Sequence, residues 1–384
     1  MTVGVNEIVD ALKRHRNVLL YGPPGTGKSH IMRAVARHFE AETASVNKLF
    51  IDTGEERLPF SQSAGVGCVT RWVTFHQGYS YEDFVVGMRP VTAGNGFSIQ
   101  PRPGVLLELA AEARQGGKGL LLIDEINRGN TSRIFGEFIT LMEHDKRLDE
   151  QGECTDTTVT ITLPYLSPGE FVEVNCSKGV ERISREFAMP ANVYTLASMN
   201  SVDKSISPID TALRRRFFVI NLAPTEKAII EAVGLSDSIA LKDSAVSADL
   251  SSHDVAVLGA TLLIKLNRSI GLYLGNDFML GQWYLSSLSK LEPAKASASL
   301  VEAWLYRILP QLVELFHGRD EQLISVLCLS SGKSVGSGLI VSEPSSDEIE
   351  FGASSYVEVA SPAPQDDEVL KFLLYLAGLS ATED

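Results

Sequence analysis

The 384 residues suffice for two compact domains and a tail, and 44% hydrophobic with 21% charged residues at a mean hydropathy of +0.06 fits a chain that buries a sizeable core. No run of about 18 apolar residues is evident and the N-terminal MTVGVNEIVDALKRH has no apolar signal core, so no membrane span is expected and a cytoplasmic location is. A net charge of -14 argues against a domain that grips nucleic acid by itself.

Residues 5–15 read as a short amphipathic helix. Val18, Leu19 and Leu20 form a buried strand ended by Gly22-Pro23-Pro24, and a helix with apolar Ile31, Met32, Val35 and Phe39 follows. A second strand is predicted at Arg71–Phe75. Residues 78–104 are Gly- and Pro-rich and read as an insertion carrying a hairpin. A helix over Val105–Arg114 leads to a third strand, Leu120–Ile123, apolar throughout as a central parallel strand should be. A helix from Ser132 to Glu143 comes next. Thr157–Leu163 and Phe171–Val174 alternate and are expected to pair across Ser167-Pro168-Gly169. Asn192–Ser198 is a buried strand, and a short helix over Pro208–Leu213 leads into a last strand, Phe217–Asn221.

Alternating strands and helices imply an α/β fold, a parallel sheet with helices on both faces. After Pro224 the strand signals stop. Residues 1–224 are thus expected to form the α/β core, 225–329 an all-helical domain, and 330–384 an acidic Ser-, Gly- and Pro-rich tail. Ten acids against Lys333 and Lys371 give that tail much of the negative charge, and 330–365 read as linker. The apolar helix Glu368–Leu376 is expected to dock on the helical domain or on a partner. Cys68, Cys154, Cys176 and Cys328 lack CxxC spacing and read as ordinary thiols.

Gly22-Pro23-Pro24-Gly25-Thr26-Gly27-Lys28-Ser29 satisfies GxxxxGK[ST] between a strand and a helix. Glycines admit positive φ and let the backbone approach phosphates. Successive N–H groups at a helix N-terminus form an anion nest. Lys28 reaches the β- and γ-phosphates, and the Ser29 hydroxyl ligates Mg2+. The strand Leu120–Ile123 ends in Asp124-Glu125, at the carboxyl end where parallel sheets bind ligands. Asp124 is assigned to the Mg2+ shell and Glu125 to the attacking water. The adjacent pair suits a hydrolase, since an attacking water needs a base beside the metal ligand.

Asn200, ending a strand placed between the two motif strands, is assigned to the γ-phosphate and water; the alternative is a turn asparagine. Asp203 is either a further member of that group or a cap. Arg214-Arg215-Arg216 end a helix. A cation is needed against the charge of the transferred phosphoryl group, and Arg214 and Arg215 are the candidates to supply it to a neighbouring copy. The alternative is a solvated basic helix end.

Several segments carry a resemblance. YGPPGTGKS (21–29), TFHQGYSYEDFVVGMRP (74–90), LLLIDEINRGNTSRIFGEFITLME (120–143), FAMPANVYTLASMN (187–200) and SISPIDTALRRRF (205–217) resemble the McrB-type AAA+ domain. LGNDFMLGQWYL (274–285) and ILPQLVELF (308–316) resemble that family's lid. The resemblance implies a P-loop AAA+ core followed by an all-helical lid. It also implies a homo-oligomer, a hexameric ring, that hydrolyses ATP or GTP beside a McrC-like nuclease or regulatory subunit of a restriction or anti-phage complex. Asn200 and Asp203 match the family's MNTAD signature, and Arg128 matches a family arginine near the subunit interface. Here the signature reads MNSVDK, with Lys204 where the family has arginine. About 16 residues precede the first strand, so the family's DNA-reading N-terminal domain is expected to be absent and DNA to be reached through a partner. The competing reading is a MoxR-like protein-remodelling ATPase, which shares the DEINR stretch but not block 74–90.

Overall fold

Apolar runs that no solvated strand would tolerate set the architecture. In the computed structural model, which describes residues 3–41, 67–93, 96–202, 209–236, 250–329, 336–344 and 355–379, Leu120, Leu121, Leu122 and Ile123 are all fully buried. Alternate residues of a strand face opposite sides, so both faces of that strand are covered, as in parallel sheets. The chain divides into two compact units, one of Val3–Tyr21 and Lys28–Asn221, the other containing Gly22–Gly27 and Leu222–Asp384.

The first unit opens with α1 (Val5–His15), whose buried Ile8, Val9, Ala11 and Leu12 make one face. Then come β1 (Asn17–Gly22), α2 (Lys28–Ala41), β2 (Cys68–Thr74), α3 (Tyr81–Phe84), the antiparallel hairpin of β3 (Val86–Ala93) and β4 (Gly96–Pro103), α4 (Val105–Arg114) and β5 (Lys118–Asp124). The short helices α5 (Thr131–Phe135) and α6 (Phe138–Leu141) replace the single helix expected from Ser132 to Glu143, which breaks at Gly136. The strands β6 (Ile161–Thr162), β7 (Phe171–Cys176), β8 (Gly179–Ser184), β9 (Glu186–Phe187) and β10 (Val193–Asn200) precede α7 (Thr211–Arg214) and β11 (Phe218–Asn221).

The main sheet has the order β11-β1-β10-β5-β2; β1 runs parallel to β11, and β5 runs parallel to both β10 and β2, with Leu196 opposite Leu122 and Trp72 opposite Leu122 from the other side. Strand β10 therefore lies between β1 and β5, as the sequence reading required. Leu121 and Ile123 join the core that includes Leu106, Leu109 and Ala110 of α4. The expected pairing across Ser167-Pro168-Gly169 does not form. Strand β7 pairs instead with β8 across the tighter Ser177-Lys178 turn, and Ile161 pairs with Phe187. Alternation marks a strand but not its partner, and the shorter loop closes first.

A buried polar node ties this unit together. Arg147 is only 2% exposed and donates to the carbonyls of Leu141 (2.8 Å), Met142 (3.2 Å) and Val193 (2.6 Å) and to Asn17 Oδ1 (3.2 Å). Asn17 in turn donates to the carbonyls of Met142 (2.6 Å) and Arg216 (3.2 Å). Burial, with Arg16 nearby, pushes the Arg147 guanidinium down to about 9, which leaves it charged at neutral pH.

In the second unit, α8 (Glu226–Val233) is capped by Thr225, and α9 (Ser252–Tyr273) starts at a Ser251/Asp254 capping box. By length and composition α9 could cross a membrane, although no uninterrupted apolar run signals it. Two thirds of its apolar window, 67%, is buried against the other helices, the setting of a core helix. Helix α10 (Pro293–Ala303) runs through a π-turn, Trp304–Ile308, into α11 (Leu309–Leu315), followed by α12 (Asp320–Leu327). Pro310 has no N–H for the Tyr306 carbonyl one turn back, which accounts for the widened turn.

The tail departs from the expected linker. β12 (Leu339–Ser342) and β13 (Tyr356–Val359) pair antiparallel, and α13 (Asp366–Ala377) follows. Leu339, Val341, Val369, Phe372, Leu373 and Leu376 join the helical core. Trp304 Nε1 donates to the Ser337 carbonyl at 2.9 Å, and Lys265 Nζ to the Leu376 carbonyl at 2.6 Å. The terminal helix thus docks on its own unit. Low hydrophobic content hid four-residue strands whose inward positions are few but apolar.

Replacing Arg147 by Met roughly keeps the volume but removes the buried donor to the Leu141 and Val193 carbonyls and to Asn17 Oδ1, while the Met142 carbonyl keeps its bond from Asn17. The expected loss is about 2–4 kcal/mol, read as a lower urea midpoint with an unchanged m-value.

Candidate active site

The phosphate-loop residues come first. Gly22 passes so close to the Leu222 carbonyl that a Cβ would lie 2.6 Å from its oxygen. Pro23 and Pro24 contribute no N–H. Gly25 (φ 77°) and Gly27 (φ 87°) take left-handed conformations that only glycine adopts freely. Thr26 Oγ1 donates to the Pro23 carbonyl at 3.0 Å. Lys28 and Ser29 then open α2, where the helix dipole favours an anion.

The acidic pair is held by separate partners. Ser29 Oγ lies 3.3 Å from Asp124 Oδ2, and the Ser198 hydroxyl donates to Asp124 Oδ1. The same Ser198 oxygen accepts from the Glu125 N–H at 3.2 Å. Glu125 sits at φ 53°, ψ 49°, a left-handed conformation that costs a non-glycine residue on the order of 1 kcal/mol or more. Its side chain meets different groups: Asn200 Nδ2 donates to Oε1, and Arg128 Nε lies 3.4 Å from Oε2. Asp124, Glu125, Asn200, Ser29 and Arg128 are thus brought together by β5, β10 and the start of α2. Ser198 was not picked out in the sequence. Its signal was a serine two positions before Asn200, hence on the same face of β10, at the end of an apolar strand; the structure buries it to 1% exposure.

The segment 74–90 buttresses this turn. The Phe75 N–H donates to the Asp124 carbonyl at 3.0 Å. Phe75, Phe84 and Phe135 pack edge to face, with centroids 4.8 to 6.1 Å apart. Ser80 and Asp83 form a capping box for α3, and Arg89 pairs with Asp83. Tyr81 donates to Glu137 Oε1 at 2.7 Å; burial and that acceptor raise its phenol above the ordinary range.

The three arginines take different positions. Asp210 caps α7 through the Ala212 N–H and accepts from Ser132 Oγ at 2.9 Å; these two hydrogen bonds hold its carboxyl below the ordinary range. Arg214 lies 5.9 Å over the Tyr21 ring. The Arg215 side chain is 67% exposed, 4.0 Å from Glu143. Arg216 is sunk, 8% exposed, with Glu143 at 2.7 Å and a further bond to the Ala212 carbonyl. Arg214 and Arg215, the two candidates, are exposed, and their partners in the chain are not the acidic pair. Asp203 lies outside the described residues.

The donors suit Mg2+, a hard cation that binds through one or two carboxylates, hydroxyls, waters and substrate phosphates. Among the described residues no group of three or more His, Cys, Asp or Glu could hold an ion by itself. Ser29 and Asp124 supply oxygen donors alone, the arrangement expected where a substrate completes the shell.

Residues 17–217 match the AAA domain family, dynein-related subfamily, and the chain belongs to it. Residues 259–323 match the McrB alpha-helical lid domain, so this is an AAA protein of the McrB type. The chain is similar to the Type IV methyl-directed restriction enzyme EcoKMcrB subunit of Escherichia coli (strain K12), 33% identical over 222 residues, 57% of this chain and 38% of that one. It is also similar to the Type II restriction enzyme BsuMI component YdiS of Bacillus subtilis (strain 168), 27% identical over 243 residues, 56% and 60% of the two chains. The chain therefore spans less than two thirds of either relative's length.

Proposed function

We propose that this chain hydrolyses ATP or GTP as the motor subunit of a restriction-type, anti-phage complex. The observation that carries the reading is the division of the acidic pair: Asp124 bonded to Ser29 and Ser198, Glu125 bonded to Asn200 and Arg128. The loop N–H groups and Lys28 bind the triphosphate. Ser29 and Asp124 would hold Mg2+, which would supply positive charge against the phosphate oxygens. Glu125 takes the proton of the water whose oxygen attacks the γ-phosphorus. The bond from that phosphorus to the β,γ-bridging oxygen breaks, giving nucleoside diphosphate and phosphate. Asn200 keeps the Glu125 carboxylate aimed.

Arg214 and Arg215 are exposed and serve a neighbouring copy's γ-phosphate, so the working form is a ring of identical subunits, proposed to be hexameric. A McrC-like nuclease or regulatory subunit is the expected partner. Contact with DNA runs through it, in keeping with the net charge of -14, and the complex works in the cytoplasm. The McrB lid match and the similarity to two restriction components favour this reading over a MoxR-like remodelling ATPase.

For Glu125→Gln we expect nucleotide binding within about twofold of wild type and turnover lower by about 10²–10⁴, measured as phosphate release with ATP and with GTP. Undiminished turnover removes Glu125 from the base role. Subunits carrying Lys28→Ala and subunits carrying Arg215→Ala are each expected to be inactive alone, and mixing them is expected to restore part of the turnover. No recovery on mixing, with Arg214→Ala subunits as well, contradicts an arginine acting between subunits.

A further inference from the structure

The four carbonyls from Pro23 to Thr26 all accept hydrogen bonds. The first is taken inside the loop by Thr26 Oγ1. The other three are taken by one short segment of the same unit, Gly281–Tyr284. The Gly281 N–H donates to the Pro24 carbonyl at 3.1 Å and the Trp283 N–H to the Gly25 carbonyl at 2.9 Å. Gln282 Nε2 donates to the Thr26 carbonyl at 2.9 Å. In a planar trans peptide the C=O and the following N–H point in opposite directions. Binding these three oxygens therefore turns the N–H groups of Gly25, Thr26 and Gly27 away from the segment, all to one side. An engaged carbonyl also polarises its peptide, which makes the opposite N–H a better donor.

Three glycines permit the approach. A Cβ on Gly281 would collide with the Gly25 carbonyl carbon, and one on Gly27 with the Trp283 indole nitrogen. A Cβ on Gly25 would lie 2.8 Å from Tyr284 Cε2. The loop glycines read in the sequence as room for phosphate also make room for this segment.

We propose that Gly281-Gln282-Trp283-Tyr284 is a clasp on the carbonyl side of the phosphate loop, with Gln282 a positioning residue that holds the N–H side in its anion-binding arrangement. The clasp rests on the reading of the loop as a triphosphate site. It positions the loop rather than touching the substrate, so its loss weakens binding without unfolding the chain.

The test is calorimetric titration of a non-hydrolysable ATP or GTP analogue with Mg2+, together with the melting midpoint of the nucleotide-free protein. Gln282→Ala is expected to raise Kd about five- to tenfold at an unchanged midpoint. Gln282→Glu keeps the shape but puts an acceptor against the Thr26 carbonyl. It is expected to weaken binding more than Gln282→Ala at pH 8, and to regain affinity relative to wild type at pH 5, where the protonated carboxyl can donate. Wild-type affinity in both variants, while the wild-type chain binds the analogue, overturns the clasp and leaves the site standing. Failure of the wild-type chain to bind either analogue instead overturns the triphosphate reading, and the clasp with it.

Discussion

Two carboxylates adjacent in sequence repel one another if they are steered to one place, and the chemistry proposed here needs them in different roles. The structure separates them with a single left-handed residue. Strand β5 delivers Asp124, and the chain then turns at Glu125, φ 53°. Ser198 fastens the turn by giving its proton to Asp124 and accepting the Glu125 N–H. One hydroxyl on the neighbouring strand thus sets the backbone on one side and the carboxylate on the other. Phe75 holds the Asp124 carbonyl from the opposite strand, and the aromatic packing behind it anchors that hold. The sheet order follows from the same need: only with β10 beside β5 can Ser198 and Asn200 both reach the pair.

Much of this was legible in the chain itself. A phosphate loop between a strand and a helix has few other uses, and an apolar strand ending in two acids points to the carboxyl edge of a parallel sheet. Asn200 could be placed because it ends a buried strand set between the two motif strands and matches the signature of the family that the chain resembles. Ser198 escaped notice because a serine in a strand is common, and only its partners reveal its part. Segment 74–90 stood out as distinctive. Its reason is mechanical, a capped turn and a phenylalanine cluster supporting the acidic turn, and that requires knowing what lies across the sheet.

The misreadings share a cause. Alternation at 157–163 and 171–174 gave strands but could not choose partners, and the two-residue Ser177-Lys178 turn won over the longer connection. Composition after 330 suggested linker, yet β12, β13 and α13 place a handful of apolar residues in the helical core. Average polarity says little where six inward positions decide the outcome. The clasp was equally hidden, because its donors are mostly main-chain groups, to which sequence patterns are blind.

The three arginines illustrate how the neighbourhood sorts equal residues. Arg216 is spent on Glu143 and the end of its own helix, and its carbonyl is fixed by Asn17 from the polar node around Arg147. That leaves Arg214, over the Tyr21 ring, and Arg215, 4.0 Å from Glu143, exposed at the end of a short capped helix. An exposed cation at the end of a capped helix is available to another copy, which is the ground on which the site is proposed to be shared between subunits.

The proposed role of Asp124 and Ser29 is to hold the metal of a bound triphosphate. It is tested most directly by titrating a non-hydrolysable triphosphate into the wild-type chain and into Asp124→Asn, each with and without Mg2+. Mg2+ should tighten binding to the wild-type chain, and Asp124→Asn should lose most of that gain while keeping the metal-free affinity. The full Mg2+ gain in Asp124→Asn would contradict the account.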